Sequence, residues 1–377
     1  MGIGQITIIQ ENTASGGLKS VERTTLFIGL AAAGAEFDKL HSIGQATDLD
    51  AILGAGASTL KTNIEAARLN AGANFTGWAV PLEAEGAHTW DTALEMALDM
   101  PNNIYPEKVA ICDPADAGAD LEAMQAAAIS AQNVYGKYIS IHTAAPGILE
   151  TESWSEYSTR IKALVNGKAL NRVTVVPQLH GNNLGVVLGR LDNDQFSVGD
   201  TPMRVRSGSV VGLGAAPVDS AGVELNMGHI TDLAAARFSV PQWYTNFDGI
   251  YWADHMTLDA EGGDFQVFEN LRVMDYITRR IRVLMIQKIA DRSLNSSASS
   301  TSFHEGYFMA PIYEAAKSTV LNGEPKPGLV KKPQDGDIVI TWRSATEVEL
   351  AILAAPIDCP KKITTRIALD LNRLGAE

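Results

Sequence analysis

K-V-A-I-C at 108–112, Y-I-S-I-H at 138–142 and R-V-T-V-V-P-Q at 172–178 decide the fold. Each is a short, largely apolar run of strand length. Between the first two, Asp113-Pro114 opens a helical pattern over Asp116 to Asn133. Between the second and third lies another, Ser153 to Val165. Strands that alternate with helices require crossover connections, and hence a largely parallel sheet covered on both faces.

The alternation extends upstream. Arg23 to Leu30 reads as a buried strand, Leu49 to Leu53 as a short helical turn and Asn74 to Leu82 as a strand. Thr59 to Ala71 reads as a helix, with Leu60, Ile64, Ala67 and Leu69 near one face and Gly72 as its cap. His88 to Met100 is a further helix, stopped by Pro101.

Downstream, from Asn182 to Ala260, glycine and aromatic residues rise and periodicity fades. Asp200 to Ala216 suggests short strands and turns, and Arg237 to Asp254 is aromatic and strand-like. Phe265 to Arg292 carries the longest helical pattern, with an apolar stripe of Leu271, Met274, Ile277, Ile281, Leu284 and Met285. Ser293 to Ser302 is a low-complexity polar loop, and Tyr307 to Leu321 a helix ended by Asn322-Gly323. Glu324 to Lys332 is a stiff, proline-rich connector. Asp337 to Trp342 and Val348 to Ile352 are strands.

Strand patterns also mark both ends. Ile363, Ile367, Leu369 and Leu371 fall on one side of an extended chain, after a break fixed by Pro356 and Pro360. Gln5 to Glu11, with Ile6, Ile8 and Ile9, is a short strand on the turn-rich tether Asn12 to Gly17. These segments belong either to the chain's own sheet or to a neighbour's, because an open apolar edge recruits other chains.

The 377 residues suffice for two or three domains with an ample core. A net charge of −14 opposes nucleic acid as the main partner, since phosphate binding needs a basic face. Cys112 and Cys359 form no disulfide framework and have no metal-ligand spacing, which fits a reducing compartment. No signal-peptide pattern and no membrane-length apolar run is present, so residence in a cytoplasm is expected.

Nucleotide and hydrolase chemistry finds no motif. The turn Gly29 to Gly34 lacks G-x-G-x-x-G, Gly212-Leu213-Gly214 opens no helix, and Gly136-Lys137 and Gly167-Lys168 lack the rest of a phosphate loop. There is no G-x-S-x-G. The seven histidines show no metal spacing; His142 and His180, at strand ends, are the candidates if the chain is an α/β enzyme without a standard motif. Asp192, Asp194 and Asp200 lack a full cation-loop spacing. On the 265–292 helix, Arg272, Arg279 and Arg282 share a face, with Arg280 at its margin. That face is a solvated surface, an internal ion-pair set or a dock for an acidic partner.

F-I-G-L-A-A-A-G at 27–34, I-L-G at 52–54 and N-A-G at 70–72 are followed by R-F-S-V-P-Q-W-Y-T-N-F-D-G-I-Y-W-A-D-H-M-T-L-D at 237–259 and D-F-Q-V-F-E-N-L-R-V-M-D-Y-I at 264–277. In order and spacing these stretches resemble the sheath protein of contractile phage tails and R-type bacteriocins. The resemblance implies an alternating βαβ core with an α+β C-terminal assembly domain and extended terminal strand arms. It implies a structural, non-enzymatic subunit without cofactor or metal, forming stacked rings around an inner tube. Partners would be other copies, the tube protein, the baseplate and the tail terminator, with no nucleic acid and no membrane insertion. The site would be the virion tail, assembled in the bacterial host cytoplasm.

Carried onto this sequence, strand exchange falls to Ile6, Ile8, Ile9, Ile363, Ile367, Leu369 and Leu371. Tube contact falls to Arg272, Arg279, Lys331 and Lys332, and hinging to Gly16, Gly17, Pro356 and Pro360. The expected division is 1–20 (arm), 21–181 (α/β), 182–260 (glycine- and aromatic-rich), 261–355 (assembly domain) and 356–377 (arm). The competing readings are the α/β enzyme and another self-assembling tube or shell protein.

Overall fold

The computed structural model describes residues 21–321 and 323–369. Five parallel strands form its centre: β1 (Thr25–Leu30), β3 (Thr76–Leu82), β4 (Lys108–Ile111), β5 (Ser140–Ala145) and β6 (Val173–Pro177). The edge strand β2 (His41–Gly44), absent from the sequence reading, pairs antiparallel to β3. The order β2-β3-β1-β4-β5-β6 reverses between β1 and β4, which makes that junction the switch point of the sheet.

Helices cover both faces, as crossover connections demand. One face packs α3 (Trp90–Leu98), α4 (Gly118–Tyr135), α5 (Trp154–Val165) and α7 (Met227–Ala235). The other packs α1 (Leu49–Leu53), α2 (Thr59–Ala71) and α6 (Asn183–Asp192). Local chemistry sets the starts: Ser58 accepts from the Lys61 amide to cap α2, and Ser153 and Glu156 form a reciprocal capping box on α5.

Helix α6 lies where the sequence shows only glycine enrichment. Gly185 and Gly189 are one helical turn apart and face α2. A Cβ on either would fall 2.0 Å from Asn63 O or 2.2 Å from Ala67 O. The glycines are what let the two backbones touch.

The aromatic stretch forms the hairpin β7 (Pro241–Tyr244) and β8 (Phe247–Trp252). The 200–216 stretch holds only one short 3-10 turn, Val205–Ser207, rather than the expected strands. The serine-rich stretch is part of a helix: Ser297 caps α9 (Ala298–Ala316), which begins inside the expected loop. Thr319–Leu321 (β9) then turns back onto Glu324–Lys326 (β10), where a helix was expected.

A third apolar cluster joins α8 (Phe268–Gln287), from Val273 onward, to α9 and to the ribbon of β11 (Ile338–Ser344) and β12 (Glu347–Ile352). Phe268 and Leu271, at the start of α8, belong to the core under the sheet. One helix therefore crosses from the α/β body into the C-terminal antiparallel unit.

Candidate assembly surfaces

In an open α/β sheet a ligand crevice is expected at the switch point. Here it is filled. The carboxylate of Asp113, just after β4, accepts from the Leu30 amide at the end of β1 (2.8 Å) and from the Thr59 hydroxyl at the start of α2. Burial pushes its pKa up against those two donors. An acidic plug spanning the crevice is the reverse of a phosphate cradle.

His142 lies inside the sheet, not at a reactive rim. Its Nε2 is 2.9 Å from Ser140 Oγ, and its Nδ1 is 2.6 Å from Thr174 Oγ1 and 3.0 Å from His255 Nε2. His255 Nδ1 in turn meets Ser239 Oγ at 2.6 Å, and Trp252 Nε1 donates to that same hydroxyl. The two rings stack and are wholly buried. Burial depresses both pKa values, that of His255 to about 3, so the chain of bonds is neutral near pH 7. His180 holds the turn after β6: its amide donates to Asn183 Oδ1 at 2.7 Å. Among the described residues no cluster of acidic, histidine or cysteine side chains has the make-up to hold a metal.

The arginines of α8 turn inward, which corrects the tube-contact expectation for two of them. Arg272 is 2% exposed and grips Glu107 through Nε (2.6 Å) and Nη2 (2.8 Å). Glu107 also pairs with the fully buried Lys108, whose Nζ lies 2.6 Å from Asp192. Burial alone would raise the Glu107 pKa; Arg272 and Lys108 outweigh it and hold it well below the usual range. Arg279, 3% exposed, and Arg280 both reach Glu22. In the opposite sense, Asp275 of α8 takes a two-pronged bond from Arg172, at 2.9 Å on each prong. The physical reason is that α8 is buried along two sides, so its polar stripe meets the strand starts instead of solvent. Arg282, packed over Gly136 at the end of α4, is the exposed member of the set. Lys331 and Lys332 are exposed, with Lys331 2.9 Å from Asp358.

The ribbon is the opposite case. Ile338 pairs with Ile352 and Ile340 with Leu350, and nothing among the described residues pairs with the outer edge of β12. Across β11, Glu305 of α9 accepts the Ile340 amide at 3.4 Å. A groove of about 1150 Å³ opens between the ribbon and α8, lined by Ile277, Ile281, Met285, Trp342, Val348 and Leu350 among others. Past the ribbon, Pro356 bridges Val330, while Pro360 is exposed. Residues 361–369 form no ladder in the subunit, although the sequence alternation predicts a strand. Ile363, Ile367 and Leu369 are 83%, 93% and 83% exposed. Ile6, Ile8, Ile9, Gly16, Gly17 and Leu371 lie outside the described residues.

The subunit thus bridges its switch point with Asp113 and pairs the buried charges of α8 internally, while among the described residues a strand edge and an apolar segment stay open. Residues 3–256 match the family described as DUF2586, N-terminal domain, and residues 264–372 match DUF2586, C-terminal domain. The chain belongs to this family. It is 38% identical over 378 residues, 97% of each chain, to a protein of Haemophilus phage HP1 (strain HP1c1) named "Putative tail sheath protein". Among solved structures it is similar to the PVC sheath complex of an extracellular contractile injection system in the contracted state. There the TM-score is 0.64 at 12% identity, over 99% of each chain. It is similar also to the sheath tail protein of Desulfitobacterium hafniense, with a TM-score of 0.55 at 13% identity, over 96% of this chain and 100% of that one.

Proposed function

We propose that the chain is the sheath subunit of a contractile tail. It polymerises as stacked rings around an inner tube and contracts to drive that tube through a cell envelope. One observation supports this reading: among the described residues β12 has an unpaired edge and the segment after it is exposed and apolar, the two parts a strand exchange needs. The open edge of β12, with an apolar groove beside it, is the acceptor. The exposed Ile363, Ile367 and Leu369 are a donor that finds no place in its own subunit. A two-stranded ribbon is marginal alone and gains from each strand added. The 97% overlap with the phage HP1 protein supports the same assignment.

By its sequence pattern the N-terminal segment, with Ile6, Ile8 and Ile9, is the second donor, and Gly16 and Gly17 are its hinge candidates. The arms are 1–20 and 356–377, on the α/β unit 21–181, the region 182–260 and the assembly unit 261–355. Lys331 and Lys332 remain candidates to meet an acidic tube wall, with Arg282 as the exposed arginine of the α8 face. The baseplate and the tail terminator close the two ends of the polymer. Assembly takes place in the host cytoplasm, and the product is part of the virion tail or of a bacteriocin-like particle. During contraction each subunit moves as a rigid body and the arms stay linked, an exchange of interfaces rather than of folds.

The test is electron microscopy of the purified protein beside two truncations, one lacking 1–17 and one lacking 362–377. The intact chain forms wide striated tubes. Both truncations stay folded by circular dichroism and form none. Normal tubes from either one would remove that arm from the mechanism.

A further inference from the structure

Between the ribbon and the free segment the chain passes over the start of α8 as a strap. The Lys331 amide donates to Ala355 O (2.7 Å) and the Ile357 amide to Leu329 O (3.2 Å). Beneath the strap is a cavity of about 560 Å³, walled by Val267, Val273, Pro327, Leu329 and the strap's own Ile357 and Pro360. Close packing therefore does little to hold the strap down. Polar contacts hold it instead. Lys361 Nζ lies 2.7 and 2.8 Å from the two carboxylate oxygens of Asp254 and forms an ion pair with Glu269. Asp254 follows the β7–β8 hairpin, and Glu269 is in the first turn of α8. Glu269 is buried, its Oε2 has no hydrogen-bond partner, and Lys361 is the cation against its other oxygen. From Lys362 to Leu369 every residue is exposed.

We propose that Lys361 is the pin that fixes where the C-terminal segment leaves the body. Asp254 and Glu269 are its socket, and withdrawal of the pin lengthens the free segment. The next backbone anchor is Ile357. Asp358 stays tied to Lys331, so release frees residues 359–361, which adds about 10 Å of reach at ~3.3 Å per residue. The value of that reach to a lattice whose spacing changes rests on the strand-exchange reading above; the pin itself does not. Pro356 and Pro360 are then parts of the strap, and the pivot lies after them.

Hydrogen exchange on the purified subunit, before any assembly, tests the pin. In Lys361→Met the Ile357 amide exchanges about tenfold faster or more than in the intact protein. Lys361→Arg keeps the protection. Lys362→Met, which removes the same charge one residue later, leaves it unchanged. Lys361→Met combined with Glu269→Gln also loses it, and in that variant no unpaired buried carboxylate endangers folding. Unchanged exchange in the combined variant, or equal loss in Lys362→Met, overturns the proposal. Because no polymer is needed, failure of the pin and failure of the sheath reading give separate results.

Discussion

Helix α8 and strand β12 border the same apolar groove, yet they treat their polar groups in opposite ways. Past Glu269, whose partner is the strap's Lys361, α8 finds a partner in the body for each buried charge: Arg272 for Glu107, Asp275 for Arg172, Arg279 for Glu22. Strand β12 leaves a whole row of backbone groups without a partner strand among the described residues. A buried charge without a partner is costly, so the first arrangement must be complete in the folded subunit. A strand edge in water costs little, so it can wait for another molecule. The contrast separates what makes the subunit one body from what makes many subunits one polymer.

Breaking the buried side has the largest effect. Arg272→Met strips Glu107 of its two-pronged partner while Lys108 remains, and is expected to cost the subunit about 3 kcal/mol in urea unfolding. Adding Glu107→Gln recovers part of that loss; strictly additive costs would mean that the two residues are not coupled. Leu350→Asp, a half-buried position in the groove, costs about 1–2 kcal/mol but abolishes tubes in electron micrographs. Tubes of normal appearance would show that the groove takes no strand.

Acid sharpens the same contrast more gently. For Glu22, burial alone would raise the pKa, but Arg279 and Arg280 pull it below the ordinary value of 4.5. A carboxyl whose pKa is lower folded than unfolded adds stability that is present above the unfolded value. That stability is lost as pH falls through the folded one. Subunit stability should therefore fall from pH 4.5 downward, and less steeply in Glu22→Gln, by about 1 kcal/mol. Parallel curves for the two proteins would dismiss the pair as a contributor.

How far the sequence discloses this division depends on range. Thr59 to Ala71 is a helix at the residues its periodicity names, and the Ser153 to Val165 pattern is α5 with Ser153 as its cap. The three core strands follow from runs only five to seven residues long. Helix α6 is hidden because Gly185 and Gly189, which weaken a helix in isolation, are there for contact with α2. Their four-residue spacing is the signal that marks them. The α8 arginines mislead for a related reason. Arg272 meets a carboxylate 165 residues away, and no local pattern tells an internal ion pair from a docking face. His142 likewise sits at the end of its sequence run, but β5 continues to Ala145 and so places the ring in mid-sheet. The alternation at Ile363, Ile367 and Leu369 stands in the sequence alone: in the subunit residues 362–369 are all exposed and join no ladder.

The smallest expected effect on the subunit is the most informative about the open side. Ile367 is 93% exposed and touches no core cluster, so Ile367→Ser should leave unfolding free energy unchanged within about 0.5 kcal/mol. Three exposed apolar side chains, Ile363, Ile367 and Leu369, on one segment are nevertheless a liability for a self-contained protein. If it is a strand side chain awaiting a neighbour's groove, its loss appears only on assembly. One buried isoleucine contributes roughly 1.5–3 kcal/mol at each junction, so the critical concentration for polymerisation should rise about tenfold or more. Sedimentation of the polymer against protein concentration measures that shift. A critical concentration equal to that of the intact chain would mean that the segment stays in solvent after assembly. The acceptor edge of β12 would then have to be filled by the N-terminal segment alone.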